Sequence, residues 1–171
     1  MAGISNRHRT TWPTFRWVFS DPGRILMFGF GSGLIRPGSG TWGSLLAWFL
    51  WVAISPGVNN WAIGLFLSFS FVYGCWASQR VSQSLGVLDH VGIVWDEFVA
   101  LWLVLWLIPD SLLAQGIAFV LFRIFDTLKP PPIRQVDARF KGGTGVMLDD
   151  LLAALYTLLV MALLVRFVPL V

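Results

Sequence analysis

Between Arg36 and Arg80 the chain carries no charged side chain for 43 consecutive residues. A run that apolar must satisfy its own backbone hydrogen bonds. It is long enough for two passes at about 20 residues per crossing. Ser55-Pro56-Gly57-Val58-Asn59-Asn60 supplies a turn between them. The pattern predicts helices over 42–54 and 60–78, the first short for a hydrocarbon core of about 30 Å. With 56% hydrophobic residues, 12% charged, ten Trp and fourteen Phe, a soluble domain of 171 residues has too little interior to hide this surface. Lipid must cover much of it.

The rest of the chain continues the pattern. A polar stretch at Ser78–His90 precedes an apolar segment, Val91–Ile108. Pro109-Asp110-Ser111 then breaks the chain, with Ser111 as N-cap of a helix to about Leu128. A polar, Pro/Gly-rich loop is expected over Lys129–Gly145, and a last helix over 149–168. The expected fold is an all-α, polytopic membrane bundle of about five apolar helices, forming one domain over 1–171. Residues 1–24 mix Arg7, Arg9, Arg16 and Arg24 with Trp12, Phe15, Trp17 and Phe19, which suits a basic interfacial segment. The first long apolar stretch starts near residue 42 and is too long for the core of a cleavable signal. Cys75 has no partner for a disulfide and reads as a buried thiol. The net charge of +3 fits an anionic membrane surface and makes no case for nucleic acid.

Eleven of the twelve Lys and Arg fall in the N-terminal segment, the 78–97 region or Arg123–Lys141; Arg166 alone lies at the other face. The positive-inside rule makes the first group, and the N-terminus, cytoplasmic. Asp89, Asp96, Glu97, Asp126, Asp137, Asp149 and Asp150 gather on that same side. Only twelve uncharged residues separate Glu97 from Asp110, about 18 Å at ~1.5 Å per residue. The third span is therefore expected to start near Val91, placing Asp96 and Glu97 about 8 Å along it. In an antiparallel hairpin with 111–128, Asp96 comes level with Arg123. Ionised groups at such depth cost roughly 2.5–3.5 kcal/mol each at a helix centre, so they need partners or a polar cavity. An Asp96–Arg123 pair tying the hairpin together is one reading. It leaves Glu97, Asp126, Asp149 and Asp150 unexplained, and hard carboxylate donors of this kind suit Mg²⁺ or Mn²⁺.

Other features admit two readings each. Asp149-Asp150 is expected to open the last helix, capping its amides, binding metal, or both. The glycine block Gly29–Ser44 leads into the first long helix, where free N–H groups hold phosphate or glycines permit close packing. Arg123, by its depth, is the best phosphate clamp among the cations. His90 beside Asp89 is a proton shuttle or a simple interfacial histidine.

Three blocks carry a family likeness: Phe28–Ser44 (FGFGSGLIRPGSGTWGS), Asp89–Leu101 (DHVGIVWDEFVAL) and Phe122–Leu152 (FRIFDTLKPPPIRQVDARFKGGTGVMLDDLL). Across about residues 25–157 the chain resembles bacterial phosphatidylglycerophosphatase A. The first block departs slightly, with an apparent two-residue shift in the family's Pro-Gly-Thr-x-Gly-Ser run. The resemblance implies an Mg²⁺-dependent enzyme of the bacterial inner membrane, working at its cytoplasmic side. That enzyme converts the membrane phospholipid phosphatidylglycerophosphate to phosphatidylglycerol and inorganic phosphate. It further implies that Asp96, Glu97, Asp149 and Asp150 hold Mg²⁺, with Asp126 a ligand or the water-orienting base. Asp126, Asp96 and Glu97 are then the catalytic set, and Arg123, Lys129, Arg134 and Thr41 bind the substrate. A transporter relaying cations through intramembrane carboxylates is the rival reading, but the other half of each span is almost wholly apolar. An accessory membrane subunit would show no turnover alone. The long aspartate spacing of CDP-alcohol phosphotransferases is absent.

Overall fold

The computed structural model describes residues 12–167, and every regular element among them is helical. Two short helices, α1 (Phe15–Val18) and α2 (Pro22–Met27), lead through a 3₁₀ segment (Gly29–Leu34) into α3 (Ser39–Ile54). There follow α4 (Asn60–Ser84), α5 (Trp95–Leu107), α6 (Leu112–Leu128), α7 (Ile133–Arg139) and α8 (Gly143–Phe167). Of the basic N-terminal segment, Arg7 and Arg9 lie outside the described residues, as does residue 168 of the expected last helix. Arg24 lies within them, its guanidinium 3.9 Å from the Trp17 ring centroid.

Local chemistry sets the boundaries. Asp21 caps α2 through the Arg24 amide, with Pro22 at the first helical position. Asn59 caps α4 through Ala62 N at 2.8 Å. Ser111 caps α6 through Ala114 N at 3.2 Å, the N-cap that the sequence predicts.

Several features depart from expectation, among them the start of α3, at Ser39 instead of residue 42. Helix α4 runs six residues past position 78, because Ser78, Val81 and Ser82 continue its buried face. Helix α5 begins at Trp95 instead of Val91. Residues 91–94 are held in a turn by Ile93 N to His90 O (2.8 Å) and Val94 N to Met27 O (2.9 Å). Asp96 and Glu97 therefore occupy the first turn of α5 and do not lie 8 Å along a span. The expected 129–145 loop contains α7, which follows the three prolines. Helix α8 starts at Gly143, so Asp149 and Asp150 lie well inside it and do not open it.

The largest surprise is the place of α5. Ten of its thirteen residues are buried, including Trp95, Phe98, Leu101 and Trp102, and it packs chiefly against α8, α3 and α4. It is the core helix of the molecule. Two of its three tryptophans spend their N–H groups inside: Trp102 Nε1 donates to Ala47 O (2.8 Å) and Trp95 Nε1 to Ser70 O (3.3 Å). At 13 residues, about 20 Å, it is too short to cross a bilayer alone.

Among the described residues two helices, α4 and α8, are long and apolar enough to cross a membrane. Each has 25 residues, about 37 Å. Their outer faces are strongly apolar, with Trp61, Leu65, Phe69 and Val72 exposed on α4 and Leu155, Leu159 and Leu163 on α8. Helix α3 is apolar but shorter, at 16 residues.

Candidate active site

Close approach of backbone makes the site possible. A Cβ on Gly40 would run into Glu97 Oε1 and lie 2.9 Å from Arg123 Nη2; one on Gly43 would lie 3.0 Å from Glu97 Oε2. These two glycines let α3 cross directly over the first turn of α5. Close packing is thus the role the structure gives to this end of the glycine block. Gly38, at φ 78°, makes the left-handed turn that launches α3.

Beneath this crossing lies a cleft of about 420 Å³. Helix α5 contributes Asp96 and Glu97, α6 contributes Arg123 and Asp126, and α8 contributes Asp149 and Asp150. Lys129, the left-handed C-cap of α6 (φ 44°), reaches in beside them. Ser39, Gly40, the exposed Arg36, Asp89 and the buried His90 complete the lining. Three helices that are distant in sequence thus deliver their acids to one place, as the sequence predicts.

The pairing differs from expectation. Arg123 Nη1 bonds Glu97 Oε1 at 3.0 Å and Asp126 Oδ2 at 2.8 Å, with Ser44 Oγ at 3.3 Å. The expected Asp96–Arg123 pair does not form. Lys129 Nζ bonds Asp149 Oδ2 and stands 3.6 Å from Asp137 Oδ1. Burial alone would lower the affinity of the Lys129 amine for its proton. The Asp149 carboxylate outweighs that, and with Asp137 it holds Lys129 above the usual lysine range.

The carboxylates outnumber these cations, and they are deep. Asp96 and Glu97 are each 8% exposed, Asp149 4% and Asp150 3%. Asp96 Oδ1, Glu97 Oε2, Asp149 Oδ1 and Asp150 Oδ2 are buried without any hydrogen-bond partner. Burying an ionised oxygen unpartnered is costly, so such a set is either protonated or bridged by a cation. Hard oxygen donors fit a divalent cation of the Mg²⁺ class. Among the described residues no three His, Cys, Asp or Glu side chains form a ready metal-binding group. The donors stand as two adjacent pairs, one on α5 and one on α8.

The remaining predicted residues separate. Arg134 is exposed on α7 and Thr41 is exposed on α3; neither lines the cleft. The cap reading of Asp149-Asp150 fails, since both lie inside α8. His90 is buried, and its Nδ1 accepts from Gly92 N at 3.0 Å. Sequence reasoning named Gly40 and Ser44 only within the glycine block, without placing either beside Glu97 and Arg123, and it missed the Asp137–Lys129 contact. For Gly40 the signal was present in its spacing from Gly43, one helical turn apart and hence on one face.

A family model described as phosphatidylglycerophosphatase A matches residues 25–165. A Haemophilus influenzae protein of that name is 46% identical over 142 residues, covering 82% of this chain and 86% of its own length. An Escherichia coli protein of the same name is 38% identical, covering 81% of this chain and 80% of its own. A Bacteroides thetaiotaomicron protein with a provisional phosphatidylinositol-3-phosphatase name is also 38% identical, covering 78% of this chain and 87% of its own. No solved structure matches the chain. The matched region takes in α3 through nearly all of α8, including each carboxylate of the cleft, and the chain belongs to the phosphatidylglycerophosphatase A family.

Proposed function

We propose that this chain hydrolyses phosphatidylglycerophosphate to phosphatidylglycerol and inorganic phosphate, using Mg²⁺ held by Asp96, Glu97, Asp149 and Asp150. Membership of the family supports the reaction and the substrate. The observation that carries the site is four buried carboxylates, each with an unpartnered oxygen, in one cleft with Arg123 and Lys129. Phosphate monoesters are among the slowest substrates to hydrolyse unaided, so the site must neutralise phosphoryl charge and activate a water. Bound Mg²⁺ would supply the first and acidify the second.

The chain's own residues do the rest. Arg123 is fixed by Glu97 and Asp126 before substrate arrives, so its guanidinium needs little reorganisation to meet phosphoryl oxygens. Lys129 is held charged beside Asp149 and offers a second cation. Asp126 accepts the proton of the attacking water, the bond between phosphorus and the glycerol oxygen breaks, and Asp126 returns that proton to the departing glycerol oxygen to give the free hydroxyl. No cysteine lines the cleft, and direct attack by water requires no covalent intermediate.

In the same reading, α3, α4, α5, α6 and α8 form a five-helix bundle embedded in a bacterial inner membrane. The N-terminus and the cleft are cytoplasmic, supported by the charge distribution. Substrate then reaches the cleft laterally from the inner leaflet. The name of the Bacteroides relative favours a second headgroup, a phosphoinositide monoester, which the same chemistry would serve. The test is phosphate release by purified protein from phosphatidylglycerophosphate, phosphatidic acid and phosphatidylinositol 3-phosphate across an Mg²⁺ titration. Fastest release from the first, dependent on the metal, is expected. Release from none of them would sink the proposal.

A further inference from the structure

Three cations line the cleft, and they are not alike. Arg123 and Lys129 are part-buried, and each is bonded to two carboxylates. Arg36 is exposed where it lines the cleft, and no ion pair joins it to a carboxylate among the described residues. Its guanidinium instead lies 4.4 Å from the Trp12 ring centroid. Trp12 in turn packs edge-on against the buried His90 at 5.3 Å, and His90 against Phe28 at 5.6 Å. A chain of aromatic contacts rooted in the core thus braces, beside the cleft, a guanidinium with no carboxylate partner among the described residues. A flat cation placed on an aromatic face keeps its outward N–H groups free to form a fork with an oxyanion.

The substrate supports a use for it. Phosphatidylglycerophosphate carries two phosphates: the terminal monoester that is cleaved, and the phosphodiester that joins the headgroup to the acyl glycerol. The deep cations and carboxylates suit the first. We propose that Arg36, braced on Trp12, is a second phosphate subsite that binds the phosphodiester. This rests on the chain acting on phosphatidylglycerophosphate. The subsite discriminates that lipid from phosphatidic acid, whose single phosphate cannot occupy both levels. Arg36 also holds the product, which keeps the diester, so phosphatidylglycerol competes with substrate.

The experiment uses two inhibitors of the full-length protein in phosphate-free detergent micelles: short-chain phosphatidylglycerol, which has only the diester, and inorganic phosphate, which mimics only the monoester. In Arg36→Ala, the inhibition constant for phosphatidylglycerol is expected to rise about tenfold or more. That for inorganic phosphate should stay within about twofold of wild type, and the loss of turnover should fall on KM rather than kcat. Arg36→Lys should recover part of the phosphatidylglycerol affinity, and Trp12→Ala should weaken it in the same direction. An unchanged phosphatidylglycerol constant, or a parallel loss for both inhibitors, overturns the subsite. Calorimetric titration with short-chain phosphatidylglycerol needs no turnover. A wild type that binds it through Arg36 yet releases no phosphate would therefore refute the proposed reaction and not the subsite.

Discussion

Alanine at Gly40 adds one methyl group where α3 passes over Glu97. Gly40 has an ordinary helical backbone, so alanine meets no backbone strain and gains at most about 1 kcal/mol of helix propensity. The new methyl collides with the Glu97 carboxylate and presses on Arg123 Nη2 at 2.9 Å. Both obstructing atoms are ends of flexible side chains, so the helices can keep their places while the carboxylate retreats. Restoring ordinary contact near 3.5 Å requires a retreat of more than about 1 Å. Arg123 keeps Asp126 at 2.8 Å, so the stability lost should be well below the roughly 3–5 kcal/mol of a fully broken buried pair. Set against the propensity gain, the net change in stability should stay within about 2 kcal/mol. Misplacing a reacting group by about 1 Å costs on the order of 10²-fold in rate. Gly40→Ala should therefore melt near wild type yet hydrolyse phosphatidylglycerophosphate about a hundredfold more slowly. Gly116→Ala is the control: its Cβ would stand 3.5 Å from Trp48, ordinary contact, and activity should be retained. A folded Gly40→Ala protein with wild-type turnover would refute the role given to the position of Glu97.

Two further expectations follow from the fold. Leu65 is 73% exposed on the outer face of α4; Leu65→Arg should cost roughly 2–3 kcal/mol if that face meets lipid. Fractionation would read this as a loss of membrane-inserted protein, whereas unchanged insertion would place that face elsewhere. Lys129 binds its proton more tightly folded than unfolded, so its pairing stabilises the fold fully below the ordinary lysine value of about 10.4 and is lost only as pH rises beyond it. Thermal melts of Lys129→Met against wild type should show a destabilisation that is the same at pH 7 and pH 9. A deficit that shrinks between those pH values would contradict the assignment.

Particular residues show what the sequence could and could not tell. The Ser111 cap and the gathering of acids at one end follow from local chemistry and charge counting, and both are found. The role of α5 does not follow. A helix that is apolar all round looks the same whether lipid or protein surrounds it, and only packing puts Trp95–Leu107 at the centre. The start of α8 was hidden because Gly142-Gly143-Thr144-Gly145 reads as loop by propensity. In the structure Gly143 lies against the Cys75 carbonyl and Gly145 against that of Phe140, contacts that no side chain would permit. Depth along the helices matches Arg123 to Asp96. Neighbours on a helix point about 100° apart, and rotation rather than depth turns Glu97 toward it. The contacts of Lys129 with Asp137 and Asp149 depend on α7 folding back over α8, which no local signal encodes.

The most direct measurement of the central claim is phosphate release from phosphatidylglycerophosphate by metal-stripped protein, with Mg²⁺ added back. Wild type is compared with Asp96→Asn, Glu97→Gln and Asp150→Asn, each removing a carboxylate that has a buried, unpartnered oxygen. The account predicts that wild type is inactive without metal and recovers on titration. Each variant should remain folded, retain less than about a hundredth of wild-type activity and show a weakened Mg²⁺ dependence. Near-wild-type release from these variants, or full wild-type activity after metal removal, would contradict the assignment of this carboxylate cleft as a metal-dependent phosphatase site.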